Sequence, residues 1–348
     1  MARRPVVTVL GSLNTDISLP VPHLPGPGET VLAAAGATFG AGGKGANQAV
    51  AAARLGAVAR MVGCCGDDEF GARLRAGLAA EGIGVTGLRA VPGVASGLAL
   101  ITVDPAGENS IAVAAGANGH AGDAEVAAAF AEPSDVLVLS AEVPVPVLGA
   151  ALRRARAEGV RTVLNLAPVP EGAAGLLAEG RPDWLVVNAQ EAAALAGRAP
   201  DGGPVEAVAA APPGDAAVAP GDAAGGPGDA AAAPGDALAR AGDIAAGLAA
   251  GLRGGHVVVT LGAAGAVLAG PSGTAAVPGF RVTAVDTVGA GDAFVGALAV
   301  GLASGLEPAA AVTAACAAGA AAATGRGAQA ALPRPADVLA ATGFSWPG

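Results

Sequence analysis

Two carboxylates six residues apart bracket a turn of small residues in Asp286-Thr287-Val288-Gly289-Ala290-Gly291-Asp292. The pattern predicts an apolar strand that ends at Val285 and an apolar helix that begins near Ala290. A helix start carries unpaired backbone N–H groups and the positive end of the helix dipole. Gly289, Ala290 and Gly291 are small enough to let a phosphate reach those donors. Asp292 then falls in the first turn. On these residues alone two readings stand: a base beside a bound anion, or an acidic residue favoured at any helix N-terminus.

A second segment, Gly42-Gly43-Lys44-Gly45-Ala46-Asn47-Gln48, also leads glycines into a helix, with Lys44 and Asn47 at its mouth. It reads equally as a glycine turn with a solvated lysine. In the third segment, Asn14 and Asp16 alternate along an extended chain and so point the same way. An amide and a carboxylate on one face suit a polyhydroxylated ligand, although Asx residues at a strand end are also ordinary turn formers.

Glycine abundance weakens short glycine motifs. With 56 Gly in 348 residues, a G-x-G-x-x-G is expected about once by chance. Gly40–Gly45 is such a match, and it opens no strand–helix–strand dinucleotide fingerprint. A phosphate-binding P-loop is absent too, since Gly45 follows Lys44 and Thr38 stands where the motif needs its first glycine.

The elements that would position these segments alternate. Strand-length apolar runs occur at Val6–Leu10, 59–63, 135–140, 162–165, 184–187 and 256–261. Helix-length segments lie at 46–55, 68–81, Val145–Glu158, 190–196 and 237–252. The alternation predicts an α/β fold, a central mostly parallel sheet flanked by helices on both sides. Residues 15–39 and 96–115 break the rhythm as extended, hairpin-like stretches, and predict a small separate β-sheet placed over the site as a lid. Residues 1–342 are expected to form one α/β domain. Pro-Gly-Asp recurs from Pro213, Pro220, Pro227 and Pro234, a period of seven. Proline and glycine in each copy rule out a coiled coil, so 199–235 reads as a flexible low-complexity insertion.

A hydrophobic fraction of 53% and a mean hydropathy of +0.55 are largely alanine. The run 309–323 therefore reads as a packed helix and not as a bilayer span, which needs about 20 strongly apolar residues. No secretory signal follows the N-terminal Met1-Ala2-Arg3-Arg4, and three cysteines give no disulfide framework. Cytoplasmic localisation and no membrane partner are the expectation. A net charge of −10 and 2% aromatic residues speak against nucleic acid. His23, His120 and His256 are scattered and show no metal-ligand spacing.

Taken in order, the motifs resemble the phosphofructokinase-B, or ribokinase, family of carbohydrate kinases over Val6 to about Pro333. Gly42-Gly43-Lys44-Gly45-Ala46-Asn47-Gln48-Ala49 is similar to the family's first motif, and Asp286–Asp292 to its second. Pro27-Gly28-Glu29-Thr30, Gly66-Asp67-Asp68 and Gly325-Arg326-Gly327-Ala328-Gln329 fit as well. The resemblance implies a ribokinase-like fold and ATP-dependent phosphorylation of a sugar, D-ribose at O5. Other acceptors are deoxyribose, fructose, a nucleoside or a keto-deoxy sugar acid; a catalytically inactive sugar-binding regulator is the alternative of another class. It implies Asp292 as base, with Gly289, Ala290 and Gly291 as the anion hole. Asn14, Asp16, Gly42, Gly43, Lys44, Asn47 and Glu142 would bind the sugar. Asn188, Glu191, Thr260, Gly262, Gly265 and Gly291 would serve the nucleotide, with Glu191 organising Mg²⁺ through water and Cys316 bordering the adenine. A monovalent cation, K⁺, would sit at Asp286, Val288, Ala322, Gly325, Gly327 and Ala331, the last an alanine where relatives often carry serine. The resemblance also implies a homodimer formed through the lid strands.

Overall fold

In the computed structural model, which describes residues 3–106, 108–197 and 234–347, the strands sort into two sheets. The first seven are β1 (Val6–Leu10), β2 (Asn14–Pro20), β3 (Thr38–Gly42), β4 (Val58–Gly66), β5 (Gly84–Val91), β6 (Gly97–Val103) and β7 (Asn109–Ala114). There follow β8 (Val136–Ser140), β9 (Arg161–Asn165), β10 (Trp184–Asn188), β11 (His256–Thr260), β12 (Gly265–Gly270) and β13 (Gly273–Pro278). The helices are α1 (Lys44–Arg54), α2 (Glu69–Ala80), α3 (Asp123–Ala129), α4 (Val145–Glu158) and α5 (Ala173–Gly180). After these come α6 (Ala189–Leu195), α7 (Pro234–Gly251), α8 (Ala290–Ala303), α9 (Pro308–Ala322) and α10 (Pro335–Thr342).

The large sheet has the order β13-β12-β11-β10-β9-β8-β1-β4-β5. It is parallel from β11 to β5, and β12 and β13 return antiparallel at one edge. A parallel strand covered on both faces must be apolar on both, and β8 is: Val136 and Val138 join one buried cluster, Leu137 and Leu139 the other. Side chains of α1, α2, α8, α9 and α10 complete the first cluster; those of α3, α4, α5, α6 and α7 complete the second. The six expected strands and five expected helices all form, within a few residues at their ends.

The strand expected to end at Val285 does not form. β13 stops at Pro278, and the amides of Val285 and Asp286 donate instead to the Ala323 carbonyl at the end of α9, at 2.8 and 3.2 Å. The sheet edge is closed by the β12–β13 hairpin, which the apolar pattern did not mark. Those strands, Gly-Ala-Val-Leu-Ala-Gly and Gly-Thr-Ala-Ala-Val-Pro, contain few residues of strong strand preference, and pairing of β12 with β11 and of β13 with β12 imposes their conformation.

The small sheet, ordered β3-β2-β6-β7, comes from the two stretches that broke the alternation. The Pro-Gly-Asp stretch lies outside the described residues, except that Pro234 and Gly235 open α7. The alanine-rich run is α9, and no helix of the described residues is long and apolar enough to cross a membrane.

Helix α8 is buried without interruption from Ala293 to Leu302, as a helix gripped on several sides must be. Its closest neighbour on one side is α1. A Cβ added at Gly296 would lie 2.6 Å from the Ala51 Cβ and 2.9 Å from the Gln48 carbonyl oxygen. Gly296→Val should therefore destabilise the protein by about 1–3 kcal/mol, as overpacking does, with a lowered melting temperature. Unchanged melting would show that the two helices have room to spare.

Candidate active site

Ligand sites in open α/β sheets lie beyond the carboxyl ends of the strands. At that edge the chain leaves β1 into Ser12, β8 into Glu142, β9 at Asn165 and β10 at Asn188. The N-termini of α1 and α8 meet there. Gly289 precedes α8 in the left-handed region at φ 81°, and a Cβ on it would lie 2.7 Å from the Ala328 carbonyl oxygen. Only glycine passes. The Gly291 and Asp292 amides stand in the first turn, where no preceding helical carbonyl exists to accept from them. Nothing outside the local helix lies within 4 Å of the position a Gly291 Cβ would take, so the space over this turn is open.

Asp292 is half-buried beside that opening. Its Oδ2 accepts from Asn47 Nδ2 at 2.8 Å and its Oδ1 from Gln48 Nε2 at 3.0 Å. Burial pushes its pKa above the ordinary carboxylate range, against the pull of the Lys44 charge and of the two amide donors. Lys44 Nζ lies 3.9 Å from Glu142 Oε1. Burial alone would lower the lysine's pKa, yet Asp292, Glu142, Glu191 and Asp16 together raise it, so it is held as a cation. Glu142 Oε2 accepts the Ser12 hydroxyl and, at 3.1 Å, the Lys44 amide.

Asn14 and Asp16 share the face of β2 on which a Cβ at Gly42 would overlap the Asp16 carboxylate. Gly43, at φ 87°, turns the chain from β3 into α1. Asn14 Oδ1 accepts from Asn118 Nδ2 at 2.8 Å, and Asn118 is itself pinned by both backbone groups of Leu13. Asp16 opens onto a cavity of about 500 Å³ shared with Thr38, Ile101, Thr287 and Gly327. Burial, then the charges of Glu142 and Asp292, push its pKa up to about 6, against the pull of Lys44.

A second cavity, of about 720 Å³, is lined by Asn188, Gln190, Leu238, Thr260 and Gly262 among others. Asn188 and Glu191 form a reciprocal cap on α6, each side chain accepting the other's amide at 2.8 Å. Burial raises the Glu191 pKa, opposed by the Asn188 amide and by Lys44. Gly265 and Cys316 do not line this cavity. Gly265 is packed against Val277 and Gly279 in the turn into β12, and Cys316 is buried in α9, where burial pushes its thiol up to about 12.

The residues expected around a monovalent cation also come together. Asp286 accepts from the Val288 amide at 3.0 Å and from the Gly327 amide at 2.9 Å. The Gly325 amide donates to Ala322, the Ala331 amide donates to Gly327, and a Gly325 Cβ would lie 2.8 Å from the Ala331 Cβ. One carboxylate among backbone carbonyls is a hard oxygen set that fits an alkali cation, although Ala331 adds no side-chain oxygen. Among the described residues no group of three or more His, Cys, Asp or Glu could hold a metal ion by itself.

A further cavity, of about 820 Å³, lies at the opposite edge of the sheet. Its arginines Arg156, Arg161 and Arg181 all donate to carbonyls at helix C-terminal ends.

The pfkB family carbohydrate kinase model matches residues 5–219 and 229–335. The chain belongs to this family. It is 34% identical to the ribokinase of Schizosaccharomyces pombe over 86% of each chain, and 32% identical to that of Haemophilus influenzae over 97% of this chain and 98% of the other. A Salmonella typhi deoxyribokinase is 31% identical over 94% of this chain and 95% of its own. Among solved structures, a Thermotoga maritima ribokinase aligns with a TM-score of 0.74 and 30% identity over 97% and 98% of the two chains. An Arabidopsis thaliana ribokinase complexed with ribose and ATP aligns with a TM-score of 0.72 and 26% identity over 97% and 98%. The protein is accordingly an ATP-dependent sugar kinase.

Sequence reasoning did not single out Gln48, Asn118, Asn165 or Ser12 in this kinase. Gln48 sat inside a quoted motif beside Asn47, a usable signal. Nothing in the sequence could tie Asn165 to it.

Asp16 supplies a test of the electrostatics. Its folded pKa, about 6, lies above the ordinary 3.8, so stability is full below about pH 4 and falls as pH rises through 6. Asp16→Asn removes that loss and should stabilise the ligand-free protein at pH 7.5 by at most about 3 kcal/mol, with a smaller gain at pH 3.5. Urea unfolding at the two pH values measures it, and a pH-independent difference contradicts the assignment.

Proposed function

We propose that this kinase transfers the terminal phosphoryl group of ATP to O5 of D-ribose. The observation that carries the reading is Asp292 in the first turn of α8, held by two amides beside open space over the Gly291 turn. Phosphoryl transfer needs in-line positioning and charge stabilisation more than covalent help. The amides of Gly291 and Asp292, with the helix dipole, would hold the transferring group without reorganising. Gly289 and Ala290 shape that turn.

On the acceptor side, Asp16 and Asn14 would receive sugar hydroxyls from the small sheet, which closes over the sugar as a lid. Gly42 and Gly43 would let the sugar approach the backbone, and Glu142 would accept a further hydroxyl. Asn47 Oδ1 is buried without a donor, and a sugar hydroxyl would supply one. Asp292 would take the proton from the hydroxyl as it attacks. A base pKa raised by burial suits that task near neutral pH. Lys44, kept charged by four carboxylates, would face the anionic phosphates.

The nucleotide would lie in the cavity past Thr260 and Gly262, with Asn188 and Glu191 at its phosphate end. Bound Mg²⁺ would neutralise phosphate charge, with Glu191 orienting its waters. K⁺ at Asp286 and the carbonyls of Val288, Ala322, Gly325, Gly327 and Ala331 would strengthen the field at the anion hole. Phe39 and Leu100, 61% and 50% exposed, flank Ile17 on the sheet face opposite Asp16; a homodimer would cover that apolar face.

Deoxyribose is the second reading, supported by the deoxyribokinase relative. The two sugars differ by one hydroxyl, and a site built to bond it rejects the analogue strongly. A coupled assay across a sugar panel, run in K⁺ and in Na⁺, should give the highest kcat/KM for ribose and greater activity in K⁺. Asp292→Asn should lower kcat by about 10² or more while calorimetry finds sugar affinity largely kept. A kcat near wild type in that variant removes the base.

A further inference from the structure

Gln48 is fully buried, and its amide nitrogen serves two oxygens at once: Asp292 Oδ1 and Asn165 Oδ1, each at 3.0 Å. The orientation of this chain of amides is fixed from its far end. Asn165 Nδ2 donates to the Val186 carbonyl at 3.2 Å, and a backbone carbonyl can only accept, so Asn165 must turn its oxygen toward Gln48. Gln48 then faces two acceptors, and only its NH₂ end can satisfy both. The amide holds this orientation although its own Oε1 is left buried without a donor. A bare buried oxygen is unfavourable. The reverse orientation would be worse, setting an amide oxygen against a carboxylate.

We propose that Gln48, braced by Asn165, is a positioning residue that commits Oδ1 of Asp292 to the protein and leaves Oδ2 to meet the sugar hydroxyl. The inference rests on Asp292 as base and adds which oxygen works and what holds the other. Asn47, the donor on Oδ2, sits at the mouth of α1 and can exchange that oxygen for a sugar. Gln48 cannot, because its second N–H is anchored to the last residue of β9. The carboxylate therefore keeps one plane and one free oxygen as the proton arrives.

The same bond bears on proton affinity. A donor to a carboxylate favours its ionised form, so Gln48 opposes the burial that raises the Asp292 pKa. The charged groups facing Asp292 are Lys44 from α1, Glu142 from the end of β8 and Asp16 from β2. Gln48→Met leaves all three in place, preserves length and apolar volume, and removes the donor.

The test is the pH profile of kcat for Gln48→Met and, separately, Asn165→Ala, with Asp292→Asn as the reference and circular dichroism as the check on folding. In Gln48→Met the acidic limb should move up by about one pH unit, and kcat below that limb should fall, while KM for sugar and ATP stays within about twofold. Asn165→Ala, which leaves the donor but frees its anchor, should shift the limb the same way by less. It keeps the proposal testable if the methionine variant does not fold. A folded Gln48→Met with an unmoved limb and wild-type kcat overturns the proposal, as does an Asn165→Ala that raises KM alone. If Asp292→Asn itself turns over like wild type, the underlying base assignment has failed instead.

Discussion

Helices α1 and α8 approach closely because α8 presents a glycine, and α1 nothing larger than the Ala51 methyl, where they touch. At Gly296 the α8 backbone faces Ala51 and the Gln48 carbonyl, with no room for a methyl group. One residue or one turn from that contact stand the three polar groups that matter most: Asn47, Gln48 and Asp292. Asp292 stands over 240 residues from Asn47 and Gln48, so nothing local could hold it to them. The close packing of two alanine- and glycine-rich helices does it. The rest of the site follows from where those helices begin, because each opens with a glycine turn at the carboxyl edge of the sheet.

The electrostatic design is one of deliberate crowding. Asp16, Glu142, Glu191 and Asp292 all act on a single lysine, and burial raises the pKa of three of them: Asp16, Glu191 and Asp292. Such a cluster is poorly matched to water and well matched to a ligand that brings hydroxyl donors on one side and phosphate charge on the other. On the proposed reading, these groups would already be aimed when substrates arrive, as in many preorganised sites.

Much of the frame was legible because its physics is local. The β1 limits and those of Val145–Glu158 follow from apolar runs and periodicity, and the α8 start at Ala290 from small residues followed by a long apolar stretch. Alternation along β2 put Asn14 and Asp16 on one face. The illegible parts were set by distant partners. Residues before Val285 are apolar enough for a strand, but the end of α9 takes their amides. β12 is a strand because β11 offers an edge, and β13 because β12 then offers another, although their residues are mostly glycine and alanine. The Gln48–Asn165 link crosses 117 positions and joins two ordinary amides, which no motif marks. Gly265, which the resemblance places along the nucleotide, takes a φ of +98° in the turn into β12, a conformation that favours glycine in its own right.

A structure of the kinase with ribose and a non-hydrolysable ATP analogue tests the central claim most directly. The account predicts the sugar's primary hydroxyl within hydrogen-bonding distance of Asp292 Oδ2, the terminal phosphate on the Gly291 and Asp292 amides, and Gln48 still on Oδ1. A terminal phosphate bound away from the α8 N-terminus, or a sugar whose nearest carboxylate is not Asp292, would contradict it.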